Sequence, residues 1–231
     1  MRDVAAILVA GGASVRFGSR KQFELIGDLP MYQYVARTFS HVESTRTIIV
    51  VGPFADIGEM GAGMRSLNLP VNWNVVAGGE TRQESVENGL RALHDDEIKI
   101  AIVHDVARAL VDEVLIRSVI EAIREHGAAA ACIEVVDTIK RAEKDEIIET
   151  IPRENLWRAQ TPQGAKIELL RDAYTAAREA NFQGTDDAQL LERIGVHPAI
   201  VRGSEMNFKI TYPSDLERMR SIILHRGFLR E

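Results

Sequence analysis

Cysteine occurs once in this chain of 231 residues, and that single thiol, Cys132, has no partner for an internal disulfide. It sits in the apolar stretch 128–136, where a free thiol packs as a small hydrophobe, and it fits a reducing, cytoplasmic setting. Long apolar runs are also missing. The best candidate, 4–15, is broken by Gly11 and Gly12 and falls short of the roughly 20 residues that a membrane-spanning helix needs. Asp3 beside Arg2, with no small-residue cleavage site downstream, separates the run from a signal peptide, so no membrane partner is expected. Positive charge is not in excess either. Lys plus Arg number 28 against 34 Asp plus Glu, a net charge of -6, which leaves no overall field for a nucleic-acid backbone. No Gly-x-Ser-x-Gly elbow, His-Glu-x-x-His or zinc-spaced Cys/His set is present, so covalent and zinc mechanisms lack their residues.

Alternation is what the sequence does have. Val- and Ile-rich runs at 4–9, 47–51, 71–76, 99–103 and 129–135 read as strands covered on both faces. Segments of helical period at 30–40, 56–67, 82–93 and 114–126 lie between or after them. The expected fold is therefore α/β: a mostly parallel twisted sheet with helices on both faces, whose ligands bind at the carboxyl ends of strands. Residues 138–151 break the pattern. Two β-branched ends flank a charged centre at Lys144-Asp145, which reads as a protruding hairpin with little core of its own. Helices resume at about 166–180, 186–194 and 214–224, and Thr81/Glu84 and Ser214/Glu217 have capping-box spacing. With no repeat or flexible linker, 1–231 reads as one domain carrying an inserted arm at about 137–155.

Three loops gather the candidate chemistry. The first runs from Ala10, Gly11 and Gly12 through Arg16, Arg20 and Lys21; its small residues admit a ligand to the backbone amides, and its cations suit a polyphosphate. It matches neither Gly-x-x-x-x-Gly-Lys-Ser/Thr nor Gly-x-Gly-x-x-Gly, and the plain alternative is a loop with solvated cations. The second, Gly78-Gly79 followed by Thr81, Arg82 and Ser85, offers amides and hydroxyls to a base or sugar, or is only a routine helix start. The third places Asp105 at the end of a buried strand, where a carboxylate needs a cation; Mg²⁺ shared with substrate phosphates and a salt bridge to Arg108 are the two options. His104 is expected to point to the opposite face. Further along, Arg153, Arg158, Thr161 and Gln163 follow the arm. Thr185 and Asp186 open a helix, where Thr185 is otherwise its N-cap, and Lys209 is otherwise the outward position of an edge strand.

In this order the segments resemble the cytidylyltransferases acting on 2-C-methyl-D-erythritol 4-phosphate in the non-mevalonate isoprenoid pathway, over about residues 4–215. The specific parts are Arg16 with Lys21-Gln22-Phe23, His104-Asp105-Val106-Ala107-Arg108, Asp137-Thr138-Ile139-Lys140-Arg141, residues 156–163, Thr185-Asp186-Asp187-Ala188 and residues 207–211. The resemblance implies a Rossmann-like nucleotidyltransferase fold, CTP with Mg²⁺, and a homodimer with interlocking arms. It implies that Arg16 and Lys21 hold the triphosphate and stabilise charge at the α-phosphorus, and that Asp105 binds the metal. Ala10, Gly11, Gly12, Gly79, Arg82 and Ser85 would surround the cytidine, and Ala107 joins Asp105 in the nucleotide set. Thr138, Arg153, Thr161, Thr185, Asp186 and Lys209 would hold the polyol phosphate, with Arg153 and Lys209 orienting its attacking group.

The first loop departs from the family's pattern: Ser14 replaces a glycine, Phe17 a methionine and Arg20 a proline, so that Arg20 could share a phosphate contact. Ala109 and Met206 also depart. The nearest rival is a cytidylyltransferase for another polyol phosphate such as ribitol 5-phosphate, which the Ala10-Gly11-Gly12 start resembles. More distant rivals are a nucleotide-sugar glycosyltransferase, disfavoured by the lack of Asp-x-Asp, and a non-catalytic CTP-binding protein.

Overall fold

A computed structural model describes residues 1–11 and 20–228. In chain order its strands are β1 (Val4–Val9), β2 (Leu25–Ile26), β3 (Leu29–Pro30), β4 (Thr45–Gly52), β5 (Asn72–Ala77), β6 (Ile100–Asp105), β7 (Ala128–Glu134), β8 (Ile139–Glu143), β9 (Glu146–Ile151), β10 (Trp157–Lys166) and β11 (Ala199–Arg202). The helices are α1 (Met31–Ser40), α2 (Ile57–Ser66), α3 (Arg82–Arg91), α4 (Glu113–His126), α5 (Ile167–Glu179), α6 (Asp187–Arg193) and α7 (Pro213–Phe228). Seven strands form one sheet in the order β11-β7-β10-β6-β1-β4-β5. Only β10 runs against its neighbours; the other pairings are parallel.

The continuous apolar character of β1 follows from cover on both faces. Val4, Ala6 and Leu8 pack with side chains of α1, α2, α4 and α7, whereas Ala5, Ile7 and Val9 pack with those of α3, α5 and α6. The same alternation in β6 sends Ile100 and Ile102 to the first layer and Ala101 and Val103 to the second. It continues to Asp105, two residues beyond the expected end of the strand, because Asp105 has a place in the β1 register opposite Val9.

Three elements were not anticipated: β10, β11 and the small β2–β3 hairpin. In β10 the buried side chains include Gln160, Thr161 and Gln163, a polar set with no apolar alternation to betray a strand. Two helix starts also differ from expectation. Thr81 and Glu84 do form a reciprocal capping box on α3. At α7, however, Pro213 takes the first position and the Asp215 carboxylate accepts the Thr211 and Tyr212 amides, each at 2.8 Å, so Ser214/Glu217 is not the cap. At α6 the cap is Asp186, which accepts the Gln189 amide at 2.9 Å, while the Thr185 hydroxyl turns to the Gln189 side chain.

The arm is present as β8 paired with β9, turning at Lys144 with φ 52°. Nearly all of it is exposed, including Ile147 and Ile148. Among the described residues no helix is long and apolar enough to cross a membrane.

Candidate active site

Asp105 is the pivot of the carboxyl edge. Its carboxylate accepts from Arg82 Nε at 2.9 Å through Oδ1 and from Lys209 Nζ at 2.6 Å through Oδ2. Burial opposes its charge, but the two cations outweigh burial and hold the carboxyl well below its usual range. Arg82 is anchored a second time, at 2.7 Å from Asp187, which is fully buried and also takes the Tyr174 hydroxyl. The alternative of an Asp105–Arg108 salt bridge does not hold: no such ion pair forms among the described residues. Arg108 instead donates to the Asn207 carbonyl at 2.9 Å and the Ala159 carbonyl at 3.3 Å, and its buried Nε has no partner. Among the described residues no carboxylate is within salt-bridge reach of it; burial disfavours its charge and the nearby Asp105 carboxylate only partly offsets this.

The segment carrying Lys209 is not an edge strand. It is an irregular stretch pinned from several sides, with Ile210 N donating to the Ala107 carbonyl at 2.8 Å and Asn207 Nδ2 to the Thr161 carbonyl at 2.8 Å. Lys21 reaches the same stretch by giving Nζ to the Ile210 carbonyl at 2.8 Å. Lys21, Arg82, Arg108 and Lys209 therefore converge on one end of the sheet. Arg20 turns the other way: its guanidinium pairs with Asp56 and Glu59 at 2.8 and 2.7 Å and lies 3.9 Å over the Phe23 ring. Gly12, Ser14, Arg16 and Phe17 fall outside the described residues. Ala10 is buried at the end of β1, with its amide on the Val51 carbonyl, and Gly11 follows it.

The α3 loop is shaped by contact distances. Ser85 Oγ accepts from the Gly79 amide at 3.2 Å and donates to the Thr81 carbonyl at 2.9 Å. A Cβ at Gly78 would lie 2.7 Å from that oxygen, and one at Gly79 would lie 2.3 Å from Glu84 Cβ, so the close approach requires glycine at both positions.

Behind Asp105, the Thr161 hydroxyl accepts from the Asp105 amide at 3.1 Å and lies 3.0 Å from His104 Nδ1. His104 Nε2 lies 3.2 Å from the Arg108 carbonyl, so this network assigns a neutral ring protonated at Nε2. A Thr–His pair has the look of a nucleophile and its base. Here both are sealed, Thr161 at 4% exposure and His104 at 0%, and the pair serves to fix Asp105 from beneath. His104 packs against Phe39, with ring centroids 5.2 Å apart, on the face opposite Asp105 as expected.

Burial pushes the His104 pKa down to about 4, whereas an unfolded His titrates near 6.5. The unfolded chain therefore binds the extra proton first, and stability falls as pH drops through that window. Between about pH 7.5 and about pH 5 the ligand-free protein should lose about 2 kcal/mol from this source. Denaturant midpoints at the two pH values check this, and His104→Asn should flatten the difference.

The remaining candidates lie further out. Asp186 uses both carboxylate oxygens within the protein, on Gln163 at 2.9 Å and on the α6 amide. Thr185 is exposed on that loop. Thr138 and Arg153 belong to the arm and its base, both exposed, and Arg153 donates to the Val136 carbonyl rather than to the Asp105 cluster. Tyr174 is absent from the sequence candidates, and the role of Asp187 as the second anchor of Arg82 is not visible in its cluster because neither of its partners is a neighbour in the chain.

Residues 4–225 match the sequence model of the 2-C-methyl-D-erythritol 4-phosphate cytidylyltransferase family. The chain belongs to this family. A 2-C-methyl-D-erythritol 4-phosphate cytidylyltransferase of Halalkalibacterium halodurans is 37% identical over 93% of both chains. A protein of the same name from Geobacillus kaustophilus is 37% identical over 98% of this chain and 99% of its own. A crystal structure of 4-diphosphocytidyl-2C-methyl-D-erythritol synthase from Anaerococcus prevotii superposes with a TM-score of 0.84 at 26% identity, covering 96% of each chain. As expected from the sequence, this cytidylyltransferase fold is a mostly parallel sheet with helices on both faces.

Proposed function

We propose that this chain transfers a cytidylyl group from CTP to 2-C-methyl-D-erythritol 4-phosphate, giving 4-diphosphocytidyl-2-C-methyl-D-erythritol and pyrophosphate in isoprenoid precursor synthesis. The observation that carries the reading is the Asp105 cluster, with its surplus of cations, inside a family match that spans residues 4–225. A phosphate monoester is already an anionic nucleophile. Its oxygen bonds to the α-phosphorus of CTP as the bond to the bridging oxygen of pyrophosphate breaks, and no strong base is required.

What the protein must supply is alignment and charge. Lys21 and Arg16 would hold the triphosphate, and Ala10, Gly11, Gly12, Gly79, Arg82, Ser85 and Ala107 would take the cytidine. Lys209 and Arg153 orient the acceptor phosphate, and Thr138, Thr185 and Asp186 border the polyol, while Thr161, implied by the resemblance as a polyol contact, is buried and acts only through the Asp105 amide. Mg²⁺ is commonly held by one or two carboxylates with substrate phosphates completing its shell. Among the described residues no group of three or more His, Cys, Asp or Glu could cage a metal, and the lone carboxylate of Asp105 suits the shared mode. When bound, the ion adds positive charge against the triphosphate.

We further place the enzyme in the cytoplasm, where one buried free thiol suits a reducing compartment, and as a homodimer. Ile147 at 67% and Ile148 at 53% exposure give the arm an apolar surface that a second copy would cover, bringing Thr138 and Arg153 to the partner's site. Replacing both isoleucines with Lys should give a folded monomer with sharply reduced turnover, read by light scattering and assay; a fully active monomer contradicts the shared site. The function itself is tested by incubating the protein with CTP, Mg²⁺ and methylerythritol phosphate and weighing the product. Clear preference for ribitol 5-phosphate, or CTP binding without turnover, contradicts it.

A further inference from the structure

We propose that Lys209 is a stand-in counterion for Asp105, displaced when the metal–nucleotide arrives and thereby released to grip the acceptor phosphate. This rests on the cytidylyltransferase reading and adds an order of events within the same site.

Each carboxylate oxygen of Asp105 already faces one cation, Arg82 at Oδ1 and Lys209 at Oδ2, so a divalent ion drawn to that carboxylate repels both, and the arrangement is relieved when one of them withdraws. The two cations are unequally held. Arg82 opens α3, is 26% exposed at its side chain, and is tied to both Asp105 and the fully buried Asp187, which Tyr174 holds in turn. Moving Arg82 would leave the fully buried Asp187 with only the Tyr174 hydroxyl and no cation among the described residues, whereas Asp105 would lose just one of its two. Lys209 has one carboxylate, is 45% exposed, and hangs on a flexible stem from a backbone fixed by Ala107, Thr161 and Lys21. Its head can therefore leave Asp105 while the segment stays in place. Lys209 released in this way becomes a mobile cation beside Arg108, whose Nε is buried without a partner.

The consequence is a reciprocal coupling: nucleotide with its metal raises acceptor affinity, and acceptor raises theirs. Titration calorimetry of methylerythritol phosphate, with no nucleotide present, reads the Lys209–Asp105 pair directly. Asp105→Asn should tighten acceptor binding by about 5- to 10-fold by freeing Lys209. In a Lys209→Met background the same change should alter it by less than about 2-fold. Equal tightening in both backgrounds would mean that Asp105 merely repels the acceptor, and no tightening in either would mean that Lys209 is not restrained; both results overturn the exchange. Should Asp105→Asn not fold, a crystal structure of the wild-type protein with Mg²⁺ and an unreactive CTP analogue decides. Lys209 beyond salt-bridge reach of Asp105 with Arg82 unmoved supports the exchange, and an intact Lys209–Asp105 pair overturns it. Product formation by the same wild-type preparation separates the two levels, because turnover without exchange removes only this inference, whereas no turnover removes the reading beneath it.

Discussion

Lys21→Ala should lower turnover by about 10²- to 10³-fold, equivalent to about 2.7 to 4 kcal/mol of transition-state stabilisation. Lys21 opens the short helical turn at residues 21–23 after the first loop and sends its ammonium to the Ile210 carbonyl, one residue from Lys209. From there it can oppose charge that grows on the triphosphate only as the α-phosphorus is attacked. Loss of such a contact lowers kcat and kcat/KM by equal factors. Steady-state kinetics on CTP check the point; wild-type turnover removes the assigned role, and a rise in KM alone would make Lys21 a ground-state binder.

The second large effect falls on stability. Asp187→Asn removes the charge from a fully buried carboxylate that sits between Arg82 and Tyr174, and it leaves Arg82 with only Asp105. Breaking one side of a buried pair costs about 3 kcal/mol or more. For a chain of this size that lowers Tm by about 6 to 12 °C. The exposed Arg158–Glu205 pair offers a contrast, since Glu205→Ala should change stability by less than about 0.5 kcal/mol. Thermal unfolding of the two variants side by side checks the difference. Equal shifts would mean that Asp187 is not the anchor of Arg82.

Much of this molecule is legible from local pattern. Unbroken Val/Ile runs mark β1, β4, β6 and β7, since a parallel strand covered on both faces must be apolar throughout. Thr81 and Glu84 announce α3 because a capping box is a local hydrogen-bond cycle. Asp105 stands out as a carboxylate where a run of buried apolar residues ends. Its partners do not stand out, because Arg82 meets Asp187 from 105 positions away and Lys209 meets Asp105 from 104. The same holds for β10: its buried Gln160, Thr161 and Gln163 are tolerable only because Ser204, His104 and Asp186 satisfy them from distant segments. An Asp105–Arg108 pair is the local alternative that three-residue spacing offers. It fails because the turn after β6 aims Arg108 at the carbonyls of Asn207 and Ala159.

In the proposed reaction the acceptor's own phosphate displaces pyrophosphate in one step, with the protein contributing fixed charge and alignment and no covalent intermediate. Thr161 and His104, placed like a nucleophile and its base, are shut away from any substrate. Stereochemistry at the α-phosphorus tests this most directly, using CTP that carries sulfur on that atom in a single configuration. One displacement inverts the centre, which is the expected result. Retention, the signature of two successive displacements through a group on the protein, would contradict it.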